Sequence, residues 1–214
     1  MSRTKPRVLG AILYPQFELL DLYGPLEMFG CLGPALQIVT VAEQAGPVAS
    51  SPGPCTVAEH TFANAPPLDL LLVPGGVGTL PQLQNEAMLA FLRERGPRAE
   101  VAMSVCTGAA LYAAAGLLDG RRATTNKQFF SMTSASGPNT TWVKEARWIE
   151  DGPMVTSSGV SAGTDMALAV IAKLWGHLAA QQIANLTEYE WQQDSTRDPF
   201  TRFLDQAKLA PDLR

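Results

Sequence analysis

The chain has 214 residues, of which 46% are hydrophobic and 17% charged, with a formal net charge of -4. That composition excludes a disordered chain and supports one sizeable core, and the absence of any Lys/Arg cluster makes nucleic acid and anionic membrane poor partners. Cys31, Cys55 and Cys106 lack CxxC spacing and suggest neither a disulfide framework nor a metal site, so a reducing, cytoplasmic setting is expected.

Taken in chain order, the basic MSRTKPR and apolar VLGAILY have the outline of a signal peptide. Pro15, Glu18 and Asp21 follow at once, and no small-residue cleavage site appears. Residues 8–14 therefore read as a first core strand. No run reaches the roughly 18 apolar residues of a membrane span. Further apolar runs lie at 36–42, 69–73 and 101–105. They are continuous rather than alternating, as in a parallel sheet covered on both faces.

Helical segments lie between these runs. Residues 17–32 suit a first helix, which Gly24-Pro25 predicts to start late or as a turn. Residues 86–95 have a start signal in Asn85 and a stop in Gly96-Pro97. Residues 107–115 form an Ala-rich helix ending at Gly116. Residues 162–176 place Met166, Ala167, Val170, Ile171 and Leu174 at helical spacing, a core stripe, behind Ser161 as N-cap. Residues 178–189 suit one more helix. Segments 50–63, and 147–149 with 154–156, suit β-ribbons at an edge. The polar tail from Asp194 is expected to pack over the domain or a partner subunit. The alternation predicts an α/β fold: a single-domain flavodoxin-like sandwich over 1–214, its sheet mostly parallel with helices on both faces. Its core spans about 8–200 and its C-terminal tail 201–214.

Four stretches carry candidate chemistry. In SVCTGAALYAAAG, Cys106 sits between a strand and a helix, the pattern of a nucleophile elbow. A helix N-terminus favours thiolate, although a free cysteine is often only a small buried hydrophobe. LDLLLVPGGVG runs a strand into Gly75 and Gly76, whose N–H groups can face developing negative charge or simply make a tight turn. In LLDLYGPLEMF, Asp21 lies among apolar neighbours, where it is hard to ionise without a partner; a helix cap is the plainer role. RRATTNKQF leads through a strand to a helix that Asn126 suits as a cap.

VPGG, VCTG and TSSGVSAGTD, in that order and spacing, resemble the ThiJ/PfpI superfamily, with its class I glutamine amidotransferase-like fold. LLDLYGP with SVCTG looks most like its isocyanide (isonitrile) hydratase branch. The resemblance covers nearly the whole chain. It implies Cys106, Asp21 and Thr107 as active-site residues. It also implies oxyanion-type donors at the N–H groups of Gly76 and Thr107, with Gly75 and Asn126 beside the substrate. Many superfamily members carry histidine where this chain has Asn126, and the peptidase-like members carry it where this chain has Thr107. His60, in an expected ribbon, and His177, at a helix end, are the only histidines, so a Cys–His triad is not expected.

The resemblance implies that a Cys106 thiolate attacks the terminal carbon of an isocyanide while Asp21 supplies a proton. Water would then convert the thioimidate to an N-substituted formamide, with no metal or organic cofactor. Two readings stay open beside it: a cofactor-free glyoxalase acting on ketoaldehydes, and a non-enzymatic redox sensor or ligand-binding module using Cys106. A homodimer is expected, with a small electrophile as substrate. Tyr23, Phe129, Trp142, Trp148 and Trp191 are candidates to line the pocket.

Overall fold

A computed structural model describes residues 5–206. The apolar runs become the middle of one sheet. Strand β1 (Arg7–Ile12) pairs in parallel with β2 (Leu36–Ala42), Leu9 opposite Ile38 and Ala11 opposite Thr40. The chain next forms an antiparallel hairpin of β3 (Gly46–Ala49) and β4 (Cys55–Ala58), then β5 (His60–Thr61), which extends the edge beyond β2. It returns across β1 to lay down β6 (Leu70–Val73) and then β7 (Val101–Val105), every residue of which is buried. Strands β8 (Arg122–Ala123) and β9 (Thr141–Trp142) form a separate short pair. Finally β10 (Trp148–Asp151) and β11 (Met154–Ser157) make a hairpin whose β11 adds in parallel to β7. The main sheet thus has the order β10-β11-β7-β6-β1-β2-β5, antiparallel only at the β10 edge. The expected ribbon at 50–63 divides between the β3-β4 hairpin and the sheet edge at β5.

Helices α1 (Leu19–Gly30), α6 (Ala162–Trp175) and α7 (His177–Leu186) pack together as one layer. The short α2 (Thr79–Gln82) with α3 (Glu86–Arg95), α4 (Gly108–Ala114) and α5 (Phe130–Ser134) form a second group joined through α4. Asn85 caps α3 as its sequence predicts, its side chain accepting from the Ala87 and Met88 N–H groups.

Two local expectations are corrected. Helix α1 begins at Leu19 and carries Pro25 inside it. Proline's cost is offset by packing: Gly24 lies against Thr164, and Pro25 against Gly163, where α1 crosses α6. Ser161 makes no capping hydrogen bond to α6, and its hydroxyl instead accepts from Arg147 Nη2 at 3.4 Å. The tail from Asp194 runs over the domain through a short 3₁₀ turn, Pro199–Phe203. Of the expected tail, residues 207–214 lie outside the described residues.

Candidate active site

The chain reverses sides at β1 and β6, and such a switch leaves a crevice at the carboxyl ends of the strands. Asp21 follows β1 there, Gly75 and Gly76 follow β6, Cys106 follows β7, and Gly159 follows β11.

Only two residues separate β7 from α4, so the turn is tight. Cys106 takes a φ of 56°, a left-handed conformation that costs a non-glycine residue roughly 1–2 kcal/mol. Neighbouring loops hold it in place. Its N–H donates to the carbonyls of Ser157 (3.2 Å) and Ser158 (3.3 Å). Its carbonyl accepts from the Thr125 hydroxyl at 2.7 Å. The elbow read from the sequence is therefore present, with the cysteine 6% exposed.

Asp21 sits in the first turn of α1 and is fully buried. The Gly75 N–H donates to its Oδ2 at 2.9 Å, while Oδ1 has no hydrogen-bond partner among the described residues. Burial pushes this carboxyl well above the usual carboxylate range, and the Gly75 N–H draws it partly back. Burial also raises the Cys106 thiol, and the neighbouring Asp21 carboxylate raises it further. The Thr107 N–H and the Asn126 side chain donate toward the sulfur and oppose that rise. Desolvation is the largest influence on the thiol, and the helix-end N–H of Thr107 offsets it only in part. Two adjoining anions in a buried site are costly, so the two groups titrate as a pair.

Thr107 organises the other wall. The Gly76 N–H donates to Thr107 Oγ1 at 3.0 Å, so in this structure it is engaged and not free to face an oxyanion. Thr107 and Thr79 hydroxyls meet at 2.9 Å, and those of Thr79 and Tyr14 at 3.0 Å. Tyr14 donates its single proton to the Pro74 carbonyl at 2.6 Å. Thr79 then donates to Tyr14, and the Thr107 hydroxyl has its single proton for either Thr79 or the Gly76 carbonyl at 3.3 Å. Gly76 has a φ of 129°, which suits glycine at this turn.

Asn126 does cap a turn, its Oδ1 accepting from the N–H groups of Gln128 (2.8 Å) and Phe129 (3.2 Å) ahead of α5. That leaves Nδ2 directed at Cys106. Gly159 completes the enclosure. A Cβ there would lie 2.1 Å from Asn126 Nδ2 and 2.9 Å from Cys106 Sγ, so any larger residue must displace the Asn126 amide or the sulfur.

The DJ-1/PfpI family model matches residues 7–173, which spans every element of this site. The chain belongs to the DJ-1/PfpI family. It is 38% identical over 181 residues to an isonitrile hydratase of Pseudomonas putida, across 85% of this chain and 78% of that protein. It is similar to a ThiJ/PfpI family protein from Pseudomonas syringae of known structure, with 35% identity, a TM-score of 0.80, and coverage of 86% and 76% of the two chains. It is also 32% identical over 139 residues to the HTH-type transcriptional regulator CdhR of Pseudomonas aeruginosa, covering 65% of this chain and 41% of that one. The family thus includes regulators as well as enzymes.

In this DJ-1/PfpI chain the six residues singled out from the sequence (Cys106, Asp21, Thr107, Gly75, Gly76 and Asn126) converge. The reading missed Gly159, Thr79 and Tyr14. Gly159 lay within TSSGVSAGTD, but nothing in its spacing marks the close approach. His60 lies at the far edge of the sheet, four strands from β7, and His177 packs on the Trp191 ring with centroids 5.5 Å apart. Of the candidate aromatic residues, Phe129 adjoins the site through its N–H to Asn126. Tyr23 is bonded to the Thr56 hydroxyl, Trp142 to the Gly137 carbonyl, and Trp191 to the Asp165 carbonyl. Trp148 lines a separate cavity of about 240 Å³ beside β10. A cavity of about 500 Å³ at the carboxyl ends of β1 and β2 shares Tyr14 with the site but does not include Cys106. Among the described residues no cluster of His, Cys, Asp or Glu is placed to hold a metal ion, and no helix is long and apolar enough to cross a membrane.

Proposed function

We propose that the protein hydrates an isocyanide to an N-substituted formamide through a covalent thioimidate on Cys106. The observation that carries this reading is the pairing of a buried carboxyl, Asp21, with an elbow thiol, Cys106, with no histidine near either. The 38% identity to an isonitrile hydratase supports it.

The reacting pair carries one transferable proton. The Cys106 thiolate adds to the terminal carbon of R–N≡C while Asp21 Oδ1, the oxygen with no other partner, protonates that carbon. The product is R–N=CH–S–Cys106 and an Asp21 carboxylate. Water then adds its hydroxyl to carbon, and its proton reaches nitrogen by way of Asp21. Finally the new hydroxyl returns a proton to Asp21 as the C–S bond breaks. R–NH–CHO leaves, and the thiolate and carboxylic acid are restored. The N–H of Thr107 and the amide of Asn126 stabilise sulfur as the anion. The Thr107 hydroxyl is held by Gly76 and Thr79, so its part is to set the geometry of the turn.

Burial disfavours a redox sensor, which needs an exposed thiol; Cys106 is 6% exposed. A glyoxalase would share the same pair, and lactate production from methylglyoxal tests it. The test of the main reading is formamide formation from an alkyl or aryl isocyanide, lost in Cys106→Ser and slowed in Asp21→Asn. A homodimer is part of the proposal; sedimentation at a monomer's mass would remove it.

A further inference from the structure

Beyond the site lies a second buried group of ionisable side chains. Lys127, Arg147, Asp165 and Asp198 are all buried. Lys127 Nζ donates to the Ala146 carbonyl (2.6 Å), Thr124 Oγ1 (2.8 Å) and the Thr125 carbonyl (3.3 Å), and lies 3.7 Å from Asp198 Oδ2. Arg147 donates through Nε to Asp165 Oδ2 at 2.6 Å, and its Nη1 is 3.9 Å from Asp198 Oδ1. Asp165 Oδ1 further accepts from the Tyr189 hydroxyl (3.1 Å) and the Gln192 N–H (2.9 Å).

These contacts join three segments. The 189–206 strap supplies Asp198, and its Asp205 N–H donates to the Lys127 carbonyl at 2.9 Å. The 124–129 loop supplies Lys127, flanked by Asn126, which faces the thiol, and Thr125, which holds the Cys106 carbonyl. The segment from Ser158 to Ser161 is gripped at both ends by Arg147, whose carbonyl accepts the Ser158 N–H at 2.8 Å and whose guanidinium reaches Ser161 Oγ. Gly159 lies inside that grip. The two loops that enclose Cys106 opposite Asp21 are thus tied to one charged cluster.

We propose that Lys127 is a positioning residue: its ammonium, hydrogen-bonded to Ala146, Thr124 and Thr125 and 3.7 Å from Asp198 of the C-terminal strap, holds Asn126 against the Cys106 thiol, while Arg147 holds the Gly159 loop in register. The inference rests on Cys106 as the reacting atom, and not on isocyanide as its substrate. A buried ion pair is weak evidence for net stability, and the part proposed for this cluster is to fix the geometry of the two loops. Burial lowers the Lys127 ammonium to about 8; Asp198 and Glu145 oppose that shift and Arg147 adds to it. Asp198 therefore favours the charged form of Lys127.

The test is the pH titration of the Cys106 thiolate by ultraviolet absorbance, in a Cys31→Ser/Cys55→Ser background, with Asp21 as the charged group facing the thiol in every variant. Lys127→Met should raise the midpoint by about one pH unit, the size of one lost hydrogen bond to an anion. Asp198→Asn should also raise it. That sign separates the mechanism from a through-space effect, since deleting an anion would by itself lower the midpoint. Neither change should add to the shift of Asn126→Ala. An unchanged midpoint in folded Lys127→Met, a fall in Asp198→Asn, or full additivity with Asn126→Ala overturns the proposal. If Lys127→Met does not fold, Asp198→Asn decides on the same criteria. Isocyanide turnover is not needed for any of these readings, so failure of the hydratase assignment and failure of this inference are distinguishable.

Discussion

At the residue scale, the pairing of Asp21 with Cys106 has a consequence with a definite sign. Burial and the Asp21 charge both raise the thiol. Asp21→Asn keeps the burial and removes the charge, so the Cys106 thiolate should form at lower pH than in wild type. The same change removes the general acid and should cost about 10²–10⁴-fold in kcat/KM. A thiol midpoint that rises or stays fixed would contradict the assigned contact. The left-handed backbone at Cys106 gives a second expectation. Cys106→Gly should be about 1 kcal/mol more stable than Cys106→Ala in urea, because glycine adopts that conformation freely. Gly159→Ala should abolish turnover while leaving the fold, because its Cβ enters the space of Asn126 and Sγ; full activity would refute that packing. Cys106 and Asp21 were legible because a thiol and a carboxyl at strand ends are chemically conspicuous. Gly159 and Lys127 were not. One acts by having no side chain, and the other acts through partners that are 71 residues away in the case of Asp198.

At the element scale, the strands were legible almost to the residue, since a continuous apolar run has few places to go but the middle of a covered sheet. Helix α3 was legible from its Asn85 cap. Helix α1 was misread at its start because Gly24-Pro25 is a local breaker, and only contact with α6 reverses that preference. The same crossing places the first turn of α1, with Asp21, over Gly75. Gly24→Leu should wedge α1 from Thr164, costing about 1–3 kcal/mol, and should lower kcat/KM by displacing Asp21. Unfolding in urea and kinetics on the same sample check both, and a stable, fully active variant would show that the crossing does not position the carboxyl. Ser161 was misread as a cap because a hydroxyl before a helix satisfies the local pattern equally well when Arg147 has claimed it.

At the scale of the whole molecule, four strand ends and one strap make a single enclosure. The α/β class and the carboxyl-end location followed from the order of elements; the strap did not, because its polar tail holds buried ions that no periodicity reveals. Lys127 gives this scale a pH signature. Its folded value, about 8, lies below lysine's usual 10.5, so between them the unfolded chain binds more protons and stability rises with pH. That increment should be present in wild type and absent in Lys127→Met, as read by urea midpoints across the window. Equal slopes would contradict the buried ammonium. The central claim, however, is thiol-dependent hydration. Its most direct test is product analysis with one alkyl and one aryl isocyanide, comparing wild type with Cys106→Ser and Asp21→Asn. The account predicts N-substituted formamide from wild type, none from Cys106→Ser, and about 10²–10⁴-fold slower formation from Asp21→Asn. No formamide from wild type, or undiminished formamide from Cys106→Ser, would contradict it.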